Sequence, residues 1–124
     1  MKDKRNFVRI KVDVPALLYE NRGNRELSCR VSNVSEQGIC FEVPRNEKGA
    51  AELSIGESVL FQFIDTLLPG KDKDMCVLCN SSQIRHIDVN DKHYVVGCYI
   101  HDGRFGEYAR MKQISTMYPE MVGA

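Results

Sequence analysis

Two arginines four residues apart, Arg5 and Arg9 in RNFVR, stand at the start of a 124-residue chain. A guanidinium is a planar, permanently charged donor fork that fits phosphate oxygens and the O6/N7 edge of guanine, and it stacks on purine faces. The pair could hold an anionic ligand that carries purines. Taken alone, it also has the composition of a solvated, charged terminus. A second cluster, Asn33, Ser35 and Gly38 in NVSEQG, combines two short directional polar groups with a residue that lets a ligand approach the backbone. Taken alone, it is also what a turn prefers.

The elements that position these clusters follow from periodicity. Val8, Ile10, Val12, Val14, Ala16 and Leu18 alternate with Arg9, Lys11 and Asp13, the pattern of a half-buried strand, with Pro15 indicating an edge or a bulge. After a turn at Asn21, Gly23 and Asn24, Leu27, Cys29 and Val31 form a second alternation. Ile39, Phe41 and Val43 form a third, closed by Pro44, so residues 33–38 read as a short connection at a sheet or barrel end. A polar stretch from Arg45 to Gly56 precedes a strand through Val59, Phe61 and Phe63, and a loop around Pro69 and Gly70 follows. Met75 to Ile87 and His93 to Ile100 flank a polar turn, as in a long hairpin. Phe105, Tyr108, Met111 and Ile114, then Tyr118 and Met121, recur at helical spacing as one face, with Pro119 ending or kinking the helix. Periodicity thus supports an antiparallel β-unit closed by a C-terminal helix.

Composition narrows the chemistry. Seventeen Lys and Arg balance seventeen Asp and Glu, so attraction to a ligand must be local. It is local at the N-terminus, where Lys2, Lys4, Arg5, Arg9 and Lys11 face only Asp3. No apolar run approaches the roughly 20 residues that span a bilayer, no secretory leader is recognisable, and five cysteines without paired spacing suit a reducing compartment; a cytoplasmic location is expected. Cys76 and Cys79 lack a second ligand pair and point to opposite faces of a strand, which argues against a metal site. Cys29, Cys40 and Cys98 read as small core or near-core fillers, and Met111 and Met121 as part of the helix's packing face. His86, His93 and His101 have no nucleophile with an oriented acid beside them, so no enzyme is expected.

In this order and at this separation, the two clusters resemble the PilZ domain family, bacterial receptors for the second messenger cyclic di-GMP. Arg5 and Arg9 match its RxxxR element, and Asn33, Ser35 and Gly38 its (D/N)xSxxG element. SSQIRHI and HYVVGCYI look like the family's last barrel strands, so the likeness runs from Lys4 to about Tyr118. The resemblance implies a mainly β fold, a six-stranded antiparallel β-barrel with a C-terminal α-helix. Residues 1–10 would be a flexible arm carrying RxxxR, 8–101 the barrel and 103–118 the helix. It implies cyclic di-GMP as ligand, bound by Lys4, Arg5, Arg9, Asn33, Ser35 and Gly38, with no catalytic group, metal or cofactor.

Lys4 stands where the family often has another arginine; it keeps the charge but not the planar fork, which leaves open whether one ligand or an intercalated pair binds. Asn33 lacks a carboxylate's charge, yet its amide oxygen still accepts from a guanine edge. Arg85 resembles a basic residue that several relatives carry near the site, and the non-aromatic Gln83 argues against a stacking platform at that spot. The expected function is a receptor that orders its arm on the ligand and signals to a separate, unidentified protein. The alternative is an adaptor of the same fold that does not bind nucleotide. A barrel binding single-stranded nucleic acid would need a groove of aromatics, and Phe7 is too little. No nucleic acid polymer and no membrane insertion are expected, and the protein is expected to be a monomer or weak homodimer.

Overall fold

The computed structural model describes residues 8–20, 25–65 and 74–117. The turn at Asn21, Gly23 and Asn24, the loop around Pro69 and Gly70, and Tyr118, Pro119 and Met121 lie outside the described residues, as do Lys4 and Arg5 of the arm.

Six antiparallel strands close into a barrel: β1 (Ile10–Glu20), β2 (Arg25–Ser35), β3 (Gly38–Pro44), β4 (Ser58–Asp65), β5 (Met75–Val89) and β6 (His93–Ile100), in the order β1-β2-β3-β6-β5-β4. One helix, α1 (Gly103–Met117), follows β6. Closure leaves no free sheet edge, which is how a small β-protein avoids pairing with another chain. The alternating residues fill the interior. Ile10, Val12, Val14, Ala16 and Leu18 of β1 are buried, as are Leu27, Cys29 and Val31 of β2 and Ile39, Phe41 and Val43 of β3. Val8 departs from that alternation, since it precedes the strand and is 48% exposed. The β1 register slips between Lys11 and Val14, and pairing with β4 begins only at Ala16, so Pro15 lies past a bulge and outside that ladder.

Arg45 to Gly56 is more than a polar excursion. It contains a 3₁₀ turn, Ala50–Glu52, that buries Ala50 and Leu53 in the core and is tied to the start of β2 by the Arg25–Glu52 ion pair. Gly49 enters this turn at φ 93°, a left-handed conformation that strains any residue with a Cβ.

Helix α1 caps the barrel end near the β2–β3 turn. Asp102 starts it as an N-cap, accepting a 2.9 Å hydrogen bond from the Arg104 amide, and the Arg104 side chain and amide together hold its carboxyl below the usual range. Phe105 meets Phe61 edge-on at 5.8 Å, and Tyr108 meets Phe63 at 5.7 Å, so two aromatics plug the interior. The buried face differs from the one expected. It consists of Phe105, Gly106, Tyr108, Ala109, Lys112 and Ser115, whereas Met111 lies at its margin and Ile114 is 44% exposed. The reason is Asp65 at the end of β4, whose buried carboxylate draws in the Lys112 ammonium at 3.2 Å and the Tyr108 hydroxyl at 2.8 Å. Rotating the helix to bury Met111 and Ile114 would pull that cation away from a buried anion.

Inside the barrel, burial pushes the Cys29 and Cys98 thiols up to about 12 and raises that of Cys79 as well, while Cys76 faces outward. At pH 8 a thiol at 12 is ionised to only about one part in ten thousand, and alkylation needs the thiolate. An alkylating reagent applied to the native protein at pH 8 is expected to label Cys76 first and to reach Cys29 and Cys98 only after unfolding, as read by mass spectrometry. Equal labelling of all three before unfolding would contradict the packed interior.

Candidate functional site

Arg9 of the first cluster meets the second cluster near the β2–β3 turn against which α1 packs. Arg9 reaches the site from just before β1, and its Nη1 donates a 2.6 Å hydrogen bond to Oδ1 of Asn33, 24 residues away in sequence. Ser35 and Gly38 pair directly across the end of the β2–β3 hairpin. Gly38 is buried, and a Cβ placed on it would stand 3.3 Å from Ser35 Oγ, 3.5 Å from the Cys98 carbonyl oxygen and 4.0 Å from Arg9 Nη2, so the bare backbone is what lets these groups pack closely there.

Residues 33–38 are not the loop expected from the sequence. Asn33 and Ser35 belong to β2, Gly38 opens β3, and only Glu36 and Gln37 make the turn. Alternation explains why this matters. Asn33 shares the parity of Leu27, Cys29 and Val31, which all point inward, and would follow them into the core. Instead the β2–β3 pairing passes from Val31–Phe41 to Asn33–Cys40, placing one additional residue in β2. This bulge reverses the parity: Val34 is fully buried and Asn33 turns out toward Arg9. The Ser32 hydroxyl supports the distortion by donating to the Cys40 carbonyl at 3.2 Å.

The turn is held from behind. Arg110 of α1 pairs with Glu36 at 3.2 Å, and the Ile100 amide donates to the Gln37 carbonyl at 3.0 Å. Sequence reasoning singled out neither Glu36 nor Arg110. They lie 74 residues apart, and nothing local in either segment signals the contact.

The structure therefore brings together Arg9, Asn33, Ser35 and Gly38 from the expected set, while Lys4 and Arg5 lie outside the described residues. Arg85, singled out by a looser match, stands over the Tyr99 ring, 4.9 Å from its centroid. Tyr99 was not singled out, although it occupies an outward parity in HYVVGCYI next to Gly38. The cluster offers guanidinium, amide and hydroxyl groups around the side-chain-free backbone of Gly38, which suits binding of an anion with a polar base edge. Among the described residues, no group of three or more His, Cys, Asp or Glu could hold a metal ion. No helix among them is long and apolar enough to cross a membrane.

Comparison with known proteins gives the family and the fold. The family model described as the PilZ domain matches residues 3–116. No curated protein matches the sequence. Among solved structures, the chain is similar to the Bacillus subtilis inhibitor of motility MotI/DgrA, with a TM-score of 0.71 at 13% identity, covering 94% of this chain and 53% of that one. The chain thus spans about half the length of that relative. It is also similar to the PilZ domain of YcgR from Escherichia coli, solved with c-di-GMP, at a TM-score of 0.64 and 14% identity over 96% and 95% of the two chains. A third likeness is to the PilZ domain of CeSA from a cellulose-synthesizing bacterium, at a TM-score of 0.52 and 13% identity over 89% and 97% of the two chains. At these identities the structural likenesses concern the fold.

Proposed function

This chain belongs to the PilZ domain family, and from that premise we propose that it is a receptor for cyclic di-GMP that passes the signal to a separate protein. The observation that carries the reading is the 2.6 Å contact between Arg9 and Asn33, which joins the C-terminal residue of RxxxR to the first residue of NxSxxG beside the side-chain-free backbone at Gly38. Cyclic di-GMP carries two phosphodiester charges and two guanines. Arg9 neutralises a phosphate or grips a guanine O6/N7 edge, Asn33 accepts from a base edge, and Ser35 and the Gly38 backbone admit the ligand closely. Lys4 and Arg5 then close over it from the arm. The ligand gains charge-assisted contacts on both sides, which must offset about 1–2 kcal/mol for each arm residue fixed.

Binding changes the outer surface made by the arm and the adjoining barrel face, and that surface is what a downstream partner reads. The ion pair from Arg110 to Glu36 ties the ligand turn to α1, a second route by which occupancy reaches the surface. No step of bond making or breaking enters this function, and the family is one of ligand-binding and adaptor domains.

Titration calorimetry with cyclic di-GMP, GTP and a short oligonucleotide tests the reading. Saturable heat with cyclic di-GMP alone, weakening as salt is raised, is the expected result. Silence with all three would leave the nucleotide-free adaptor, and uptake of the oligonucleotide would point to a nucleic-acid barrel.

A further inference from the structure

Closing the barrel removes sheet edges but leaves sheet faces, and one outer face is unlike its neighbours. From Pro15 to Tyr19 on β1, from Leu60 to Ile64 on β4 and from Cys76 to Asn80 on β5, no outward position carries a charge, and only Gln62 and Asn80 are strongly polar. The three stretches adjoin, since Leu17 pairs with Gln62, Gln62 with Leu78 and Ile64 with Cys76. Leu78 is 57% exposed and Ile64 51%. Next door, β1 carries Lys11 and Asp13 and β2 carries Glu26 and Arg30, all exposed. A sheet face meant for water carries polar residues outward, so a contiguous uncharged and largely apolar face marks a contact surface.

The face has relief. Pairing of β1 with β4 stops at Ala16–Phe63, so the two strands part beyond it. They leave a groove of about 530 Å³ whose apolar lining includes Pro15, Leu17, Phe63, Ile64 and Cys76. Asp74, its one charged lining residue, is exposed. Leu78 stands beside the groove, one outward position along β5 from Cys76, as an exposed aliphatic side chain. Knob and hole thus lie side by side on one surface.

We propose that this face joins two copies of the chain about a two-fold axis, with Leu78 of each copy seated in the groove of the other. Two observations single out a second copy. An isologous contact needs a self-complementary surface, and an axis passing between Leu78 and the groove brings each knob onto the other copy's hole. The face also has no charge to oppose its own image, and seventeen Lys and Arg against seventeen Asp and Glu leave no net charge to hold copies apart. Size sets the strength. Three strands about 4.8 Å apart over about five residues give a footprint of roughly 10 by 17 Å, well short of the about 800 Å² per partner of a standard stable interface, so the copies exchange between free and paired. The contact uses β1 from Pro15 onward, whereas Arg9 and Asn33 meet at the other end of that strand, so both copies keep the ligand cluster open and the proposal stands apart from the receptor reading.

Sedimentation equilibrium of the purified chain tests this from about 10 μM to about 1 mM, the span in which so small a contact associates, under reductant so that the exposed Cys76 cannot cross-link. The weight-average mass is expected to rise from that of one chain toward that of two. Leu78→Glu and Ile64→Lys alter positions outside the core, so each should keep its melting temperature and weaken the dimer by about tenfold or more. Mixed in equal amounts, the two variants should pair again, because one seat then sets a carboxylate against an ammonium and the other is unaltered. Val89→Lys, as exposed as Leu78 but at the far end of β5, should pair like the unmodified protein. The mass of one chain across the whole range overturns the proposal. So does a dimer that both variants leave intact, or one that mixing fails to restore.

Discussion

Replacing Lys112 with alanine should lower the free energy of unfolding by about 3–5 kcal/mol, the usual cost of removing one member of a buried ion pair. The Asp65 side chain is 0% exposed and that of Lys112 only 8%, so water cannot take over from the lost ammonium. Tyr108 still donates to Asp65, but a neutral hydroxyl does not balance a buried carboxylate, and the Tyr108 hydroxyl is itself held strongly toward its neutral form by burial and by that bond. For a domain of this length the loss corresponds to a fall of roughly 10–20 °C in Tm. Asp65→Asn combined with Lys112→Met should recover much of it, since replacing both charges removes the desolvation cost together with the attraction. Urea unfolding of the three proteins decides the matter. A loss under about 1 kcal/mol in Lys112→Ala would mean that the pair does not anchor α1. The consequence reaches the site, because α1 also carries Arg110, which holds the Glu36 turn.

Arg9→Ala should weaken cyclic di-GMP binding by about 1.5–3 kcal/mol, the worth of a charged hydrogen bond, which is roughly 10- to 150-fold in Kd. Arg9 is exposed and contributes no core packing, so Tm should move little. Arg9→Lys separates charge from shape. A lysine keeps the phosphate attraction but cannot grip a base edge with two parallel donors, so an intermediate loss is expected. Calorimetry at fixed salt measures all three proteins. Equal affinity in Arg9→Ala and the unmodified protein would remove the arginine from the site and with it the reason to join the two motifs.

Much of the barrel was legible in the chain. The alternations through Ile10–Leu18, Leu27–Val31, Ile39–Val43 and Val59–Phe63 each became a strand with the expected residues inside, because burial on one face of a pleated strand imposes a period of two wherever pairing is regular. Pro44 closes β3, and β6 runs over His93–Ile100 as expected. The helix was legible as a helix. Its orientation was not, since an apolar count favours Met111 and Ile114 and gives no sign that Lys112 has an anion waiting 47 residues upstream.

The site divides in the same way. Resemblance to the family's RxxxR and (D/N)xSxxG elements is what singled out Arg9, Asn33, Ser35 and Gly38, since by themselves the two clusters also read as a charged terminus and a turn. Tertiary structure decided where those groups point. A single additional residue in β2 turns Asn33 out of the core, and another in β5 sets Arg85 over Tyr99. A bulge exists only relative to the partner strand, as one residue more on this side than on that, so no reading of either segment by itself contains it.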